Sequence, residues 1–150
     1  MSSLDFSLGV MSDETVMLDF DDTTLDFVLY WARVAMDLFE LGGFLIRKSS
    51  EGCFHTVFDR IVTWKECLRV VAMVVLNSHH EGLKKWFILQ ARKGSMTLRC
   101  TPKGLKPCPV VVHREGSQDG QIHRFLEREE LIRQIIDELS EPNPDELIDY

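Results

Sequence analysis

Three side chains in this sequence could do chemistry together: Asp19, Asp21 and His55. Thr15 to Phe20 is a short apolar and β-branched run that reads as a strand ending in carboxylates. Residues two apart on a strand leave the same face. Asp19 and Asp21 are therefore expected on one side, with Phe20 opposite. Cys53 to Asp59 alternates as well, which puts His55 on a face with Cys53, Val57 and Asp59. Carboxylates held close together repel and raise each other's pKa. A hard divalent cation, Mg²⁺ or Mn²⁺, relieves that cost, and such an ion can hold a triphosphate for in-line phosphoryl transfer. The same residues also admit a plainer reading. Asp21-Asp22-Thr23-Thr24 is good turn and helix-capping chemistry, and a lone histidine can be a hydrogen-bonded sheet residue.

The elements that must position these groups follow from periodicity. Leu25, Val28, Leu29, Ala32, Ala35, Met36 and Phe39 recur at helical spacing. Thr23 or Thr24 can cap this helix and Gly42-Gly43 can stop it. Phe44 to Lys48 reads as a second strand, and Ser49-Ser50-Glu51-Gly52 as a turn into the strand of His55. Thr63-Trp64-Lys65-Glu66 is a capping box, opening a helix with an expected core face of Leu68, Val71, Ala72, Val75 and Leu76. Trp86 to Gln90 is predicted as a strand, followed by strand candidates at Ser95–Cys100 and Val110–His113. A last helix presents Leu131, Ile132, Ile135, Ile136 and Leu139, with Glu127, Glu129 and Glu130 in its first turns, where the helix dipole favours negative charge.

This order predicts an α+β fold of the split βαβ kind, ferredoxin-like or RNA-recognition-motif-like. It runs βαββαβ with extra C-terminal strands and a C-terminal helix, and sets the first and third strands side by side. One domain is expected over residues 15–140, between an irregular arm (1–14) and an acidic tail (141–150).

The 150 residues carry a net charge of −7, with 45% apolar and 27% charged residues, as expected of one globular domain. That charge argues against coating nucleic acid by bulk attraction. Residues 84–106 nevertheless hold seven Lys or Arg and no acid, which suits either a local phosphate site or a solvated loop surface, the commoner case. No run approaches the roughly 18 apolar residues of a membrane helix, and no signal peptide is visible, so a cytoplasmic protein without membrane partners is expected. Cys53, Cys67, Cys100 and Cys108 read as free thiols. A zinc site from Cys100, Cys108, His113 and His123 would have none of the usual ligand spacings.

Val16-Met17-Leu18-Asp19-Phe20-Asp21-Asp22, followed by a helix and then Lys48-Ser49-Ser50-Glu51-Gly52-Cys53-Phe54-His55-Thr56-Val57, resembles the archaeo-eukaryotic primase superfamily of primase-polymerases. The resemblance covers residues 15–60. It implies that Asp19 and Asp21 are catalytic metal ligands for Mg²⁺ or Mn²⁺, and that His55 contacts the phosphates of an incoming nucleotide. A segment from Thr97 to Gly104 is similar to the family's basic triphosphate-binding stretch. It implicates Arg99 and Lys103, with Arg47 and Lys48 as secondary candidates. The implied partners are a nucleoside triphosphate, DNA or RNA, and a larger replication protein. Two features differ from the family: Cys53 stands where a small hydroxyl residue is usual, and the predicted strand at Trp86–Gln90 ends in a neutral Gln rather than a third acid. A minimal or degenerate primase-polymerase-like domain in replication or repair is therefore the leading expectation. The competing classes are a non-catalytic module binding nucleic acid or protein, and a metal-dependent nuclease.

Overall fold

The structure is a computed structural model that describes residues 7–141. The expected acidic tail lies outside the described residues from Pro142 onward, as do residues 1–6 of the expected arm. Ten elements follow in order: β1 (Gly9–Ser12), β2 (Met17–Phe20), α1 (Leu25–Phe39), β3 (Gly43–Ser50), β4 (Cys53–Phe58), α2 (Trp64–Ser78), α3 (Glu81–Lys93), β5 (Met96–Arg99), β6 (Val110–Gly116) and α4 (Gln121–Ser140).

The protein is α+β, with the split βαβ connectivity. Its main sheet has the order β2-β4-β3-β6, antiparallel throughout, and β1 pairs with β5 in a second, two-stranded sheet. Thus the first and third strands of the βαββ unit, β2 and β4, are neighbours. One face of the main sheet carries Leu18, Phe20, Phe44, Ile46, Phe54 and Phe58, all buried. The Phe20 ring meets Phe27 of α1 edge-on at 5.8 Å. Val28, Ala32 and Ala35 of α1 are fully buried in the same core, as are Val70, Val71 and Val74 of α2. On the opposite face lie α4 and the loop after β5.

Caps set the helix ends. Thr24 Oγ accepts from the Phe27 N–H (3.3 Å), and Thr63 Oγ from the Glu66 N–H (3.2 Å), each quieting an orphan donor. The cap of α4 comes from far away in sequence. Asp59 Oδ1, just past β4, accepts from the N–H groups of Gly120 (2.9 Å) and Ile122 (3.2 Å), while Ser117 Oγ donates to Oδ2 (2.6 Å).

Four sequence expectations are corrected. Trp86–Gln90 is the middle of α3 and not a strand. Leu83, Trp86, Phe87 and Gln90 turn inward at i, i+3, i+4 and i+7 while Ile88 and Leu89 face out, which is helical periodicity. Residues 9–12, expected to be irregular, form β1 by pairing with β5. The core side of α2 is rotated: Cys67, Val70, Val71 and Val74 are buried, and Leu76 is 72% exposed. Finally, α4 begins at Gln121, so Glu129 lies well inside the helix, where it is buried. No helix among the described residues is long and apolar enough to cross a membrane.

Candidate functional site

Strand register builds the site. Asp19 pairs with His55 across β2 and β4, and His55 pairs with Arg47 across β4 and β3. Directly opposed residues share a face, so the three side chains form one row on the side away from α1 and α2. His55 Nε2 stands 3.7 Å from Asp19 Oδ1, and Arg47 Nη2 donates to His55 Nδ1 at 2.9 Å.

Arg47 is fully buried, an expensive place for a charge unless it is paired. Its partners come from both neighbours of the sheet. Glu129 Oε2 of α4 sits against Nη1. The Arg99 carbonyl accepts from Nη2 at 2.9 Å, and the Phe125 ring lies under the guanidinium, 4.7 Å from its carbon to the ring centre. Arg133 approaches the other oxygen of Glu129 at 3.4 Å. The row therefore continues into α4 as Asp19, His55, Arg47, Glu129, Arg133. Burial holds His55 well below the ordinary histidine range, and Arg47, Arg99 and Lys106 push it the same way.

Asp19 is the open end of this row, its side chain 32% exposed. Burial raises its carboxyl to about 6, Asp21 adds to the rise, and Lys106, Arg99 and Arg47 oppose it. Asp21 itself follows the end of β2 and is more exposed. Its carbonyl accepts from His80 Nε2 at 2.7 Å. Its carboxylate lies against Gly82, where a larger side chain would collide with it, in the first turn of α3. The positive end of that helix is a favourable place for a carboxylate.

The chemistry of this pair suits a divalent cation, because a metal would remove the cost of charging Asp19 beside Asp21. No group of three or more His, Cys, Asp or Glu among the described residues could surround an ion. A metal held here would complete its shell with phosphate oxygens and water, as Mg²⁺ commonly does.

The four basic candidates separate sharply. Arg47 belongs to the row but is enclosed. Lys48 points to the other face of β3, where its ammonium pairs with Glu51 at 2.8 Å. Arg99 lies near the row, but its guanidinium is occupied by the carbonyls of Ser49 (2.8 Å), Pro107 (2.8 Å) and Thr101. Lys103 is exposed in a tight turn that pairs its backbone with Lys106. Two residues that sequence reasoning passed over matter more. Lys106 acts electrostatically on both Asp19 and His55. Glu129 neutralises Arg47, and its signal was present in the sequence: it lies four and seven residues after Phe125 and Ile122, on the apolar side of the helix. Cys100 is buried in this region, its Sγ 3.8 Å from Arg47 Nη1. Cys108 is exposed, and all four cysteines are free.

Compared with family models, with curated proteins and with solved structures, the chain matches none of them.

Proposed function

We propose that this chain is a primase-polymerase-like nucleotide-binding domain, taking a nucleoside triphosphate with Mg²⁺ or Mn²⁺ at Asp19 and Asp21 and working on DNA or RNA in replication or repair. The observation that supports it is the pairing of a carboxyl raised to about 6, Asp19, with His55 directly across adjacent strands. In this reading Asp19 and Asp21 hold the cation, and His55 and Lys106 face the phosphate oxygens. When bound, the metal supplies positive charge against the triphosphate. Buried Arg47 supports His55 from behind. Lys48 and Arg99 take no direct part, because their side chains are turned away or occupied, while Lys103 stays exposed in the turn of Lys106.

One observation favours a second reading, binding without nucleotidyl transfer. With Trp86–Gln90 in a helix, no strand beside β2 among the described residues brings a third carboxylate to Asp19. Calorimetric titration of a nucleoside triphosphate with Mn²⁺ into the wild type and into Asp19→Ala/Asp21→Ala tests the site. Heat from the wild type alone is expected; equal heats, or none from either, would sink the proposal. Extension of a labelled strand then separates turnover from binding.

A further inference from the structure

We infer that Arg47 is a positioning residue that fixes the His55 imidazole as its Nε2–H tautomer, with that N–H directed at the Asp19 carboxylate. A guanidinium has only donors. The 2.9 Å contact between Arg47 Nη2 and His55 Nδ1 therefore requires a lone pair on Nδ1. The single proton of the neutral ring is then on Nε2, the nitrogen 3.7 Å from Asp19 Oδ1. Arg47 cannot turn aside to accommodate the other tautomer. Glu129, the Arg99 carbonyl and the Phe125 ring hold its guanidinium on three sides. The Nδ1–H tautomer would set a hydrogen against the guanidinium and leave a buried donor without an acceptor.

The tautomer stands on this geometry alone; its use rests on the proposed function. If a triphosphate binds at Asp19, His55 meets it as a hydrogen-bond donor and not as a base. A glutamine amide reaches the Nε2 position and an asparagine amide only the Nδ1 position. His55→Asn should then lose about tenfold more triphosphate affinity than His55→Gln, the worth of one charge-assisted hydrogen bond.

Imidazole ¹⁵N NMR of the full chain near neutral pH reads the tautomer directly. The expected spectrum has His55 Nε2 protonated and Nδ1 unprotonated. His80 provides an internal control of fold, since its Nδ1 accepts from the Leu83 N–H (2.9 Å) and its Nε2 donates to the Asp21 carbonyl (2.7 Å). In Arg47→Met/Glu129→Met, which removes both charges together, His55 should become a mixture of tautomers while His80 is unchanged. A wild-type His55 protonated at Nδ1, alone or with Nε2, overturns the inference, and that spectrum decides even if the double variant does not fold. A variant with intact His80 signals and an unmixed Nε2–H His55 overturns the role of Arg47. Adding ATP with Mg²⁺ to the wild type should shift His55 Nε2 without moving its proton. No shift would overturn the phosphate contact and leave the tautomer standing.

Discussion

The two faces of the main sheet are built on opposite terms. Toward α1 and α2 the strands present Leu18, Phe20, Phe44, Ile46, Phe54 and Phe58, and any shape that fills the space serves. Toward α4 they present Asp19, His55 and Arg47 in one cross-strand row, closed by Glu129. Burial stabilises the first face, at roughly 1.5–3 kcal/mol per large side chain. The second face gains little net stability from burial, since each charge must recover its lost hydration from a partner. The proposed site is placed on this row because strongly shifted titratable groups cluster at functional sites.

Paired substitutions separate the two kinds of face. Phe20→Ala should cost about 3–5 kcal/mol in urea unfolding, from lost burial and the cavity left behind. Glu129→Ala should cost a similar amount, about 3–5 kcal/mol, because it strands the Arg47 charge. The difference lies in rescue: Arg47→Met/Glu129→Met should recover most of the loss on the polar face. A double variant as unstable as Glu129→Ala would show the row to be as dependent on shape as the apolar face.

A smaller effect comes from Asp19, whose carboxyl is raised from 3.8 to about 6 in the folded chain. Between those values the folded state binds more protons than the unfolded one, so stability falls as pH rises through this window. Asp19→Asn should match the wild type below the window and exceed it in stability above, by thermal unfolding across pH. Added Mg²⁺ should reduce that difference above the window. A wild type whose stability rises between these pH values relative to Asp19→Asn would contradict the buried, Asp21-facing environment. Least of all is expected from Lys48→Ala, which removes an exposed pair with Glu51. Stability should hardly change, as for exposed ion pairs in general, and triphosphate binding should not change, because Lys48 lies on the other face.

How legible these faces were depends on what each residue's partners are. Residues 15–60 could be read well, since Met17, Leu18 and Phe20, the Thr24 cap and the alternation around His55 are local signals. Trp86–Gln90 misled because five consecutive apolar or amide side chains fit a strand or a helix equally. The deciding marks, Leu83 one turn earlier and Gly94 at the end in a left-handed conformation (φ 86°), lie outside that window. Strand β1 was hidden because its partner, β5, is remote in sequence. In the site, Asp19 and His55 were found by alternation. Asp21 was read by the same alternation, but it lies past the end of β2, with its carboxylate against Gly82 of α3. Sequence spacing cannot say which basic side chains are already occupied, so Arg47 and Arg99 looked available when both are engaged by carbonyls or by Glu129.

The long-range cap at Asp59 carries a consequence for the order of folding. The first turn of α4 depends on a carboxylate more than sixty residues earlier, at the end of β4. Closing such a large loop is costly before other contacts hold it. The helix that delivers Glu129 to Arg47 should therefore dock after the sheet has formed. Asp59→Ala should speed unfolding and leave the folding rate nearly unchanged in stopped-flow measurements. A fall in the folding rate would place α4 in the nucleus instead. With late docking, every newly folded molecule first exposes Arg47 without its counter-charge, and the polar row is complete only in the final step.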